Sequence, residues 1–425
     1  MLNLGSSVQS FIDRQDLTAP LSTAQGVGNV PFQRWFKFKE AFSPKFVFDV
    51  IGKSQIDVKS IFDPFGGSGT TSLTAQMAGI SPSTIEVNPF LADLIESKLQ
   101  SYDSDGLIED WLQVLRTVNE QNPSLEKVYA EAPKTLYQNE DNERWIFERD
   151  VLFRICQYRQ SIDSLNCTKN KRLLNVLLGS ILISVSNVFV NGKGRRYRKN
   201  WESNKKSALD VDNLLSERIN DAIFDIVKYA NRGTFDFKML RGDSRALINK
   251  IDSSDLVLFS PPYPNTFDYT DIYNVELWAL GYLTNSESNR NLRTQTLRSH
   301  VQVKTQTYDR PESITLEKTL KQLNLVKNDL WNKNIPDMVS DYFKDIETIL
   351  SGSKRVVTDG GLIVIVIGDS RYSNIRIDTA AITTELANRM GLKLVETEKI
   401  RVMKSSAQQG WSKELDEVAL YYTKK

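Results

Sequence analysis

VKSIFDPFGGSGTTSLTAQMAGISPSTIEVNPF, from Val58 to Phe90, is the stretch on which the fold turns. Val58 to Phe62 is a short apolar run, closed by Asp63-Pro64 and a glycine-rich turn. Thr70 to Ala78 then carries helical spacing and Gly79 stops it. Ser83 to Val87 reads as a second short strand, and Pro89 to Gln100 as a second helix. Strand, turn, helix, strand, helix between Val58 and Gln100 is the opening of a parallel sheet with crossover helices, because parallel neighbours can be joined only by a long return connection.

Upstream, Pro31 to Ile51 ends as an amphipathic helix, with Ser43 as cap and Pro44 at the first helical position. Downstream, residues 103–231 read as helical almost throughout. The alternating theme then returns, with strands at Phe235–Leu240, Leu256–Phe259, Gly361–Ile367, Lys393–Val402 and Glu417–Tyr422 and a helix at Thr379–Met390. The expected organisation is an irregular segment 1–30, a catalytic α/β domain formed by 31–102 and 232–425, and a helical insertion 103–231. A polar, loop-rich excursion at 264–335 contains a candidate target-recognition stretch at 285–335.

Three local signals carry chemistry. Asp63-Pro64-Phe65-Gly66-Gly67-Ser68-Gly69-Thr70-Thr71 lies at a strand end ahead of a helix, where glycines let backbone amides approach a ligand at the carboxyl edge of the sheet. Alone it is weak, since glycine turns serve many loops; a phosphate-loop lysine and a third dinucleotide-type glycine are both missing. Glu86, about twenty residues on and ending the next strand, is placed to accept from two ribose hydroxyls; capping the following helix is its structural alternative. Ser260-Pro261-Pro262-Tyr263 leaves the strand DLVLF through two prolines that cannot continue a sheet. A fixed carbonyl and hydroxyl there can accept from one amino group, and Tyr263 offers a face on which a base can stack. The structural alternative is a proline turn with a packed tyrosine.

Taken in order, DPFGGSGTT, IEVNP and SPPY resemble the amino-methylating DNA methyltransferases, closest to the N4-cytosine type. RWFKFKEAFSPKFV resembles the segment of that family lying over the methionine end of the cofactor. RGDSRAL at Arg241–Leu247 is similar to its post-strand acid motif, and PNTFDYTDIYNVELWALGY to the extension after SPPY. The resemblance covers roughly residues 31–100 and 235–285, with an echo at 361–370 and 417–422. It implies a Rossmann-like, S-adenosylmethionine-dependent methyltransferase sheet carrying a helical insertion. It also implies cofactor contacts from Phe42, Ser43, Asp63, Phe65, Gly67, Ser68, Gly69, Thr70, Glu86, Asn88 and Asp243, with Ser260, Pro261, Pro262 and Tyr263 as the catalytic set. The implied substrate is an exocyclic amine, cytosine N4 ahead of adenine N6, in double-stranded DNA whose target base is flipped out, with a cognate restriction nuclease as a further partner.

Composition narrows the field. The single histidine, His300, stands in a polar stretch, and Cys156 and Cys167 match no metal pattern, so thiol, imidazole and metal chemistry are poorly served. Cytosine C5 methylation, which needs a nucleophilic cysteine, is thereby disfavoured. Basic and acidic residues number 54 and 53, so only local clusters can speak for nucleic acid. The strongest is Gly192 to Trp201, where Lys193, Arg195, Arg196, Arg198 and Lys199 interleave with Tyr197 and Trp201, suited to phosphate contact and stacking; a solvated basic loop is the alternative. Arg290, Arg293, Arg298 and Lys304 follow in the later excursion. Leu173–Val190, the longest apolar stretch, is too often interrupted by polar residues for a membrane span. Met1–Gln25 shows no basic start before an apolar core, so a cytoplasmic protein without membrane contact is expected. Rival readings are N-methylation of RNA or of protein glutamine, and a non-catalytic binding module that keeps the fold.

Overall fold

The computed structural model describes residues 6–21, 23–191, 194–303, 309–404 and 414–424. Its strands are β1 (Ser60–Asp63), β2 (Ser81–Glu86), β3 (Val188–Asn191), β4 (Gly194–Tyr197), β5 (Lys238–Arg241), β6 (Ser254–Phe259), β7 (Val357–Gly368), β8 (Ser370–Tyr372), β9 (Ile375–Ile377), β10 (Leu392–Lys404) and β11 (Glu414–Lys424). Seven of them form one sheet in the order β10-β11-β7-β6-β1-β2-β5. The pairs β5/β2, β2/β1, β1/β6 and β6/β7 are parallel, whereas β11 runs antiparallel to both β7 and β10.

Alternation along each strand sends side chains to two separate cores. Phe62, Ile85, Val257, Phe259, Ile363 and Ile365 face one layer, built from the helices Ile335–Val356 and Thr379–Arg389. Ile61, Leu256, Leu258, Val364 and Val366 face the other, where the helix Pro44–Lys53 supplies Phe46, Val47, Val50 and Ile51. The result is the expected α/β architecture, helices on both faces of a mostly parallel sheet.

Residues 104–228 do form helices, at Ser104–Thr117, Arg149–Asp163, Thr168–Ile181 and Ala208–Lys228, interrupted by the hairpin β3–β4. Their apolar faces share one core with the helix Pro89–Leu99 and with Val275, Leu277 and Leu280 beyond the SPPY segment. Two expectations need correction. The excursion 264–335 contains the helices Tyr269–Ile272, Asn274–Ala279, Ser286–Gln295 and Ile314–Leu325 rather than mainly loops, and Ser6–Ile12 is helical within the supposedly irregular start. No described helix is long and apolar enough to cross a membrane.

One buried carboxylate straps the N-terminal segment onto this frame. Asp225, on the helix Ala208–Lys228, accepts from the Phe32 amide (2.8 Å), the Trp35 indole (3.0 Å) and the Arg34 guanidinium (2.8 and 3.0 Å). The strap carries the chain from Phe36 to Phe42 across the carboxyl edge of the sheet.

Candidate active site

From β1 the chain adds β2 and β5 on one side and then returns to add β6 and β7 on the other, so the order of strand addition reverses beside β1. That reversal opens a crevice at the carboxyl ends of the strands, the usual ligand position of such sheets. A cavity lies there, and its walls come from each of the motifs that carry the family resemblance. Phe42, Asp63, Phe65, Gly67, Ser68, Thr70, Glu86, Asn88, Asp243, Ser260, Pro261, Pro262 and Tyr263 all line it.

Two of the implied cofactor contacts do not. Ser43 is fully buried and its hydroxyl caps the helix Pro44–Lys53 by accepting from the Phe46 amide. Gly69 sits at φ +79°, where a side chain would be strained, and a Cβ there would stand 3.1 Å from Ile95 Cγ1. Both residues shape the wall from behind. Gly66 is equally constrained: a Cβ there would stand 2.5 Å from the Thr84 hydroxyl, so the turn packs directly onto β2.

The carboxylates explain what the cavity is built to hold. Glu86 accepts from the Asn88 amide at 2.7 Å and the Gly67 amide at 2.8 Å, which joins the glycine turn to the end of β2. Burial pushes its carboxyl up to about 7, against those two amides, which pull it down. Burial likewise raises Asp63 to about 6, opposed by the Thr71 hydroxyl and the Phe65 amide. Such groups lack a partner of opposite charge and sit in a cavity wall, a pattern typical of ligand sites. Glu40 also lines the cavity and accepts from the Tyr273 hydroxyl at 2.8 Å; Phe38 stacks on that tyrosine ring, centroids 5.5 Å apart.

The turn is held from below by Lys98, wholly buried, whose ammonium donates to the Ser68 carbonyl (2.7 Å) and to Gln33 (3.0 Å). Ser244 donates to the Pro64 carbonyl, tying RGDS to the first turn. Asp243 caps its short helix and is gripped by Arg245, which also pairs with Asp345.

The structure adds residues that sequence reasoning missed. Glu417, 1% exposed, stands at the carboxyl edge because β11 runs backwards, so its beginning meets Gly368 at the end of β7. It accepts from the Tyr263 hydroxyl at 2.8 Å and from Arg401 of β10 at 2.6 and 3.0 Å. The Ser260 and Tyr263 hydroxyls are 3.3 Å apart. His300, read as part of a polar stretch, is 1% exposed and lines the same cavity, its Nε2 3.3 Å from the Thr296 hydroxyl.

The basic cluster is only partly available. Lys193 lies outside the described residues. Arg195, Arg196 and Lys199 are exposed on or beside the hairpin β3–β4, whose second strand packs against the helix Tyr269–Ile272 next to the cavity. Arg198 is instead spent on backbone carbonyls of Ser186 (3.2 Å) and Ile183 (2.8 Å). Trp201 is buried against Trp145 and Tyr197, so it is not free to stack on a base. In the later excursion, Arg293 pairs with Asp268 and Asp271, and Arg298 with Asp341 and Asp345. Those two cations are neutralised internally, and Lys304 lies outside the described residues. No cluster of three metal-ligating side chains occurs among the described residues.

No protein-family model matches the chain. In an alignment of 441 positions that covers 93% of this chain, it is 27% identical to Type II methyltransferase M.AvaI of Nostoc sp. (strain PCC 7120 / SAG 25.82 / UTEX 2576), of which it covers 86%. It is 26% identical over 446 residues to Type II methyltransferase M.BsoBI of Geobacillus stearothermophilus, covering 92% of this chain and 85% of that protein. Among solved structures, TrmN from Thermus thermophilus gives a TM-score of 0.28 at 9% identity, covering 90% of this chain and 48% of that one, a likeness too slight to argue from. The resemblance to the methyltransferases is borne out by the two sequence relatives. The sheet of this chain is Rossmann-like, mostly parallel with helices on both faces and an antiparallel β11.

Proposed function

We propose that this chain is a DNA methyltransferase that transfers a methyl group to the exocyclic amino group of a base, cytosine N4, within a restriction-modification system. Its cofactor is S-adenosylmethionine, which supplies an activated methyl group on a sulfonium. The carrying observation is that Ser260 to Tyr263, at the end of β6, line the same cavity as Asp63, Gly67 and Glu86, at the ends of β1 and β2.

The residues present fit that cofactor. Glu86 has both oxygens on backbone amides and retains lone pairs toward the cavity for the two ribose hydroxyls. Asp63, Glu40 and Glu86 give the pocket a negative lining suited to a ligand bearing ammonium and sulfonium charge. By the family resemblance Asp243 would meet the adenine and the upstream segment the methionine end, and Phe38 to Phe42, Asn88 and Asp243 all line the cavity.

An exocyclic amine is a poor nucleophile because its lone pair is delocalised into the ring. The Ser260 hydroxyl oxygen and the Pro261 carbonyl accept its two hydrogens and draw the nitrogen toward tetrahedral geometry. Held so, the nitrogen would be placed to receive the methyl group that bound S-adenosylmethionine would supply, with S-adenosylhomocysteine as the other product and the nitrogen's surplus proton passing to solvent. Positioning and preorganised acceptors supply the rate, with no covalent enzyme intermediate. Tyr263 provides the stacking face for a flipped base, since the amino group is inaccessible in the duplex.

Exposed Arg195, Arg196 and Lys199 beside the cavity mouth support phosphate contacts on the same face. The division into a catalytic domain (31–102 and 232–425), a helical insertion (103–231) and a target-reading stretch within 285–335 belongs to the same proposal. So do action in the cytoplasm and a cognate restriction nuclease, which the type II character of both relatives supports.

The test offers purified protein labelled S-adenosylmethionine with duplex DNA, tRNA or protein as acceptor. Label is expected in DNA alone, retained by a cofactor-binding but inactive Ser260→Ala variant only as unreacted donor. Label in tRNA or protein but not DNA would replace this reading with one of its rivals.

A further inference from the structure

We propose that Glu417 is a positioning residue that fixes the direction of the hydrogen bonds running through Tyr263 to Ser260. The Ser260 oxygen is thereby left facing the target amine with lone pairs only. The inference rests on the reading of Ser260 as the acceptor of that amine.

The argument is one of donor counting. Glu417 is buried and forms an ion pair with Arg401, which donates two hydrogen bonds to it at 2.6 and 3.0 Å. An ionised carboxylate only accepts. The Tyr263 hydroxyl, 2.8 Å away, must therefore donate to it. With its single proton committed, the Tyr263 oxygen is an acceptor for its other neighbour, the Ser260 hydroxyl at 3.3 Å. Ser260 then donates to Tyr263, and what remains on its oxygen is acceptor capacity.

Were the direction reversed, the Ser260 proton would be free to point at the amine's own N–H groups, and an acceptor would be lost where the reaction needs one. The Ser260–Tyr263 distance is long for a hydroxyl pair. It tightens when an amine donates to Ser260, because successive hydrogen bonds polarise one another. Glu417 acts on Ser260 through the intervening Tyr263 hydroxyl.

A purely structural role for the Glu417–Arg401 pair predicts a different pattern on mutation, and two variants separate the cases. Tyr263→Phe keeps the ring and leaves the ion pair intact but cuts the chain. Glu417→Gln keeps the shape but no longer dictates direction, since an amide both donates and accepts. Each is expected to slow single-turnover methyl transfer to duplex DNA roughly tenfold to a hundredfold, with affinities for cofactor and DNA within about twofold of the parent.

The double variant is expected to be no slower than the slower single one, because both changes break one chain. Losses that multiply in the double variant, or Tyr263→Phe at full rate, would overturn the proposal, and the second result stands even if Glu417→Gln fails to fold. If the parent protein itself methylates no DNA, the reading of Ser260 falls first and this inference with it. A parent that is active alongside a fully active Tyr263→Phe sinks the inference alone.

Discussion

Replacing Glu86 with glutamine tests the cofactor cradle at its most informative point. The carboxylate spans two backbone amides, at 2.7 and 2.8 Å, and offers its remaining lone pairs to the cavity. Glutamine keeps one oxygen but turns an NH2 group toward one of those amides, and it makes neutral rather than charged hydrogen bonds to the ribose hydroxyls. Hydrogen bonds to charged groups contribute about 1.5–3 kcal/mol against about 1 kcal/mol for neutral ones. Losing that difference, about 0.5–2 kcal/mol at each of two hydroxyls, weakens cofactor binding by about 1–4 kcal/mol, roughly fivefold to several hundredfold in Kd. The free protein behaves differently, because the ionised carboxylate it loses was itself costly to bury, its carboxyl having been pushed up to about 7. Melting without cofactor at pH 8 should therefore stay close to the parent while calorimetric titration with S-adenosylmethionine shows the drop. A variant that binds within about threefold of the parent would refute the ribose assignment.

Three further outcomes follow from the same geometry. Cofactor binding should strengthen with rising pH: below about 7 the ligand must expel the Glu86 proton, and below about 6 the Asp63 proton as well, so Kd should climb roughly tenfold per unit and then more steeply. In the free protein the sign is opposite, since a raised carboxyl favours the fold most below its ordinary value near 4.5 and that benefit fades through about 7; a pH-independent Kd between 5 and 8 would contradict both. Asp225→Ala leaves the Phe32 amide, the Trp35 indole and the Arg34 guanidinium without their buried acceptor and should cost about 3–5 kcal/mol in denaturant unfolding. An unchanged midpoint would show that the strap is not anchored there. Replacing Arg195 and Arg196 with alanine should weaken DNA binding for all sequences alike and lower the salt slope by up to about 2, which titration at several salt concentrations reads directly; an unaltered slope would remove the hairpin from the DNA interface.

Local chemistry was legible and long-range chemistry was not. The turn at Asp63–Thr71, the acid at Glu86 and the exit at Ser260–Tyr263 each encode their place in a few neighbouring residues, because glycine and proline dictate backbone geometry wherever they stand. Parallel topology followed from the alternation of strands and helices, and the cavity at the strand ends followed from topology. Glu417 and Arg401 carry no such local mark; they reach the site only because β11 and β10 pair in antiparallel register, with Arg401 opposite Glu417. His300 was misjudged because the polar residues around it hide its burial in a pocket wall. The long helix Ile335–Val356 was overlooked although its signal was present, with Ile335, Met338, Val339, Tyr342, Phe343, Ile346, Ile349 and Leu350 at helical spacing. The basic cluster misled in part, since a sequence cannot show that Arg198 already serves carbonyls or that Trp201 is packed against Trp145.

Nucleoside mass spectrometry of DNA from a methylation-deficient host bears most directly on the amine-methylation claim. Cells expressing the parent protein should contain N4-methylcytosine, and cells expressing Ser260→Ala should contain none, at equal protein levels. N6-methyladenine in its place would move the target base while keeping the chemistry. C5-methylcytosine, or undiminished modification by Ser260→Ala, would contradict it outright.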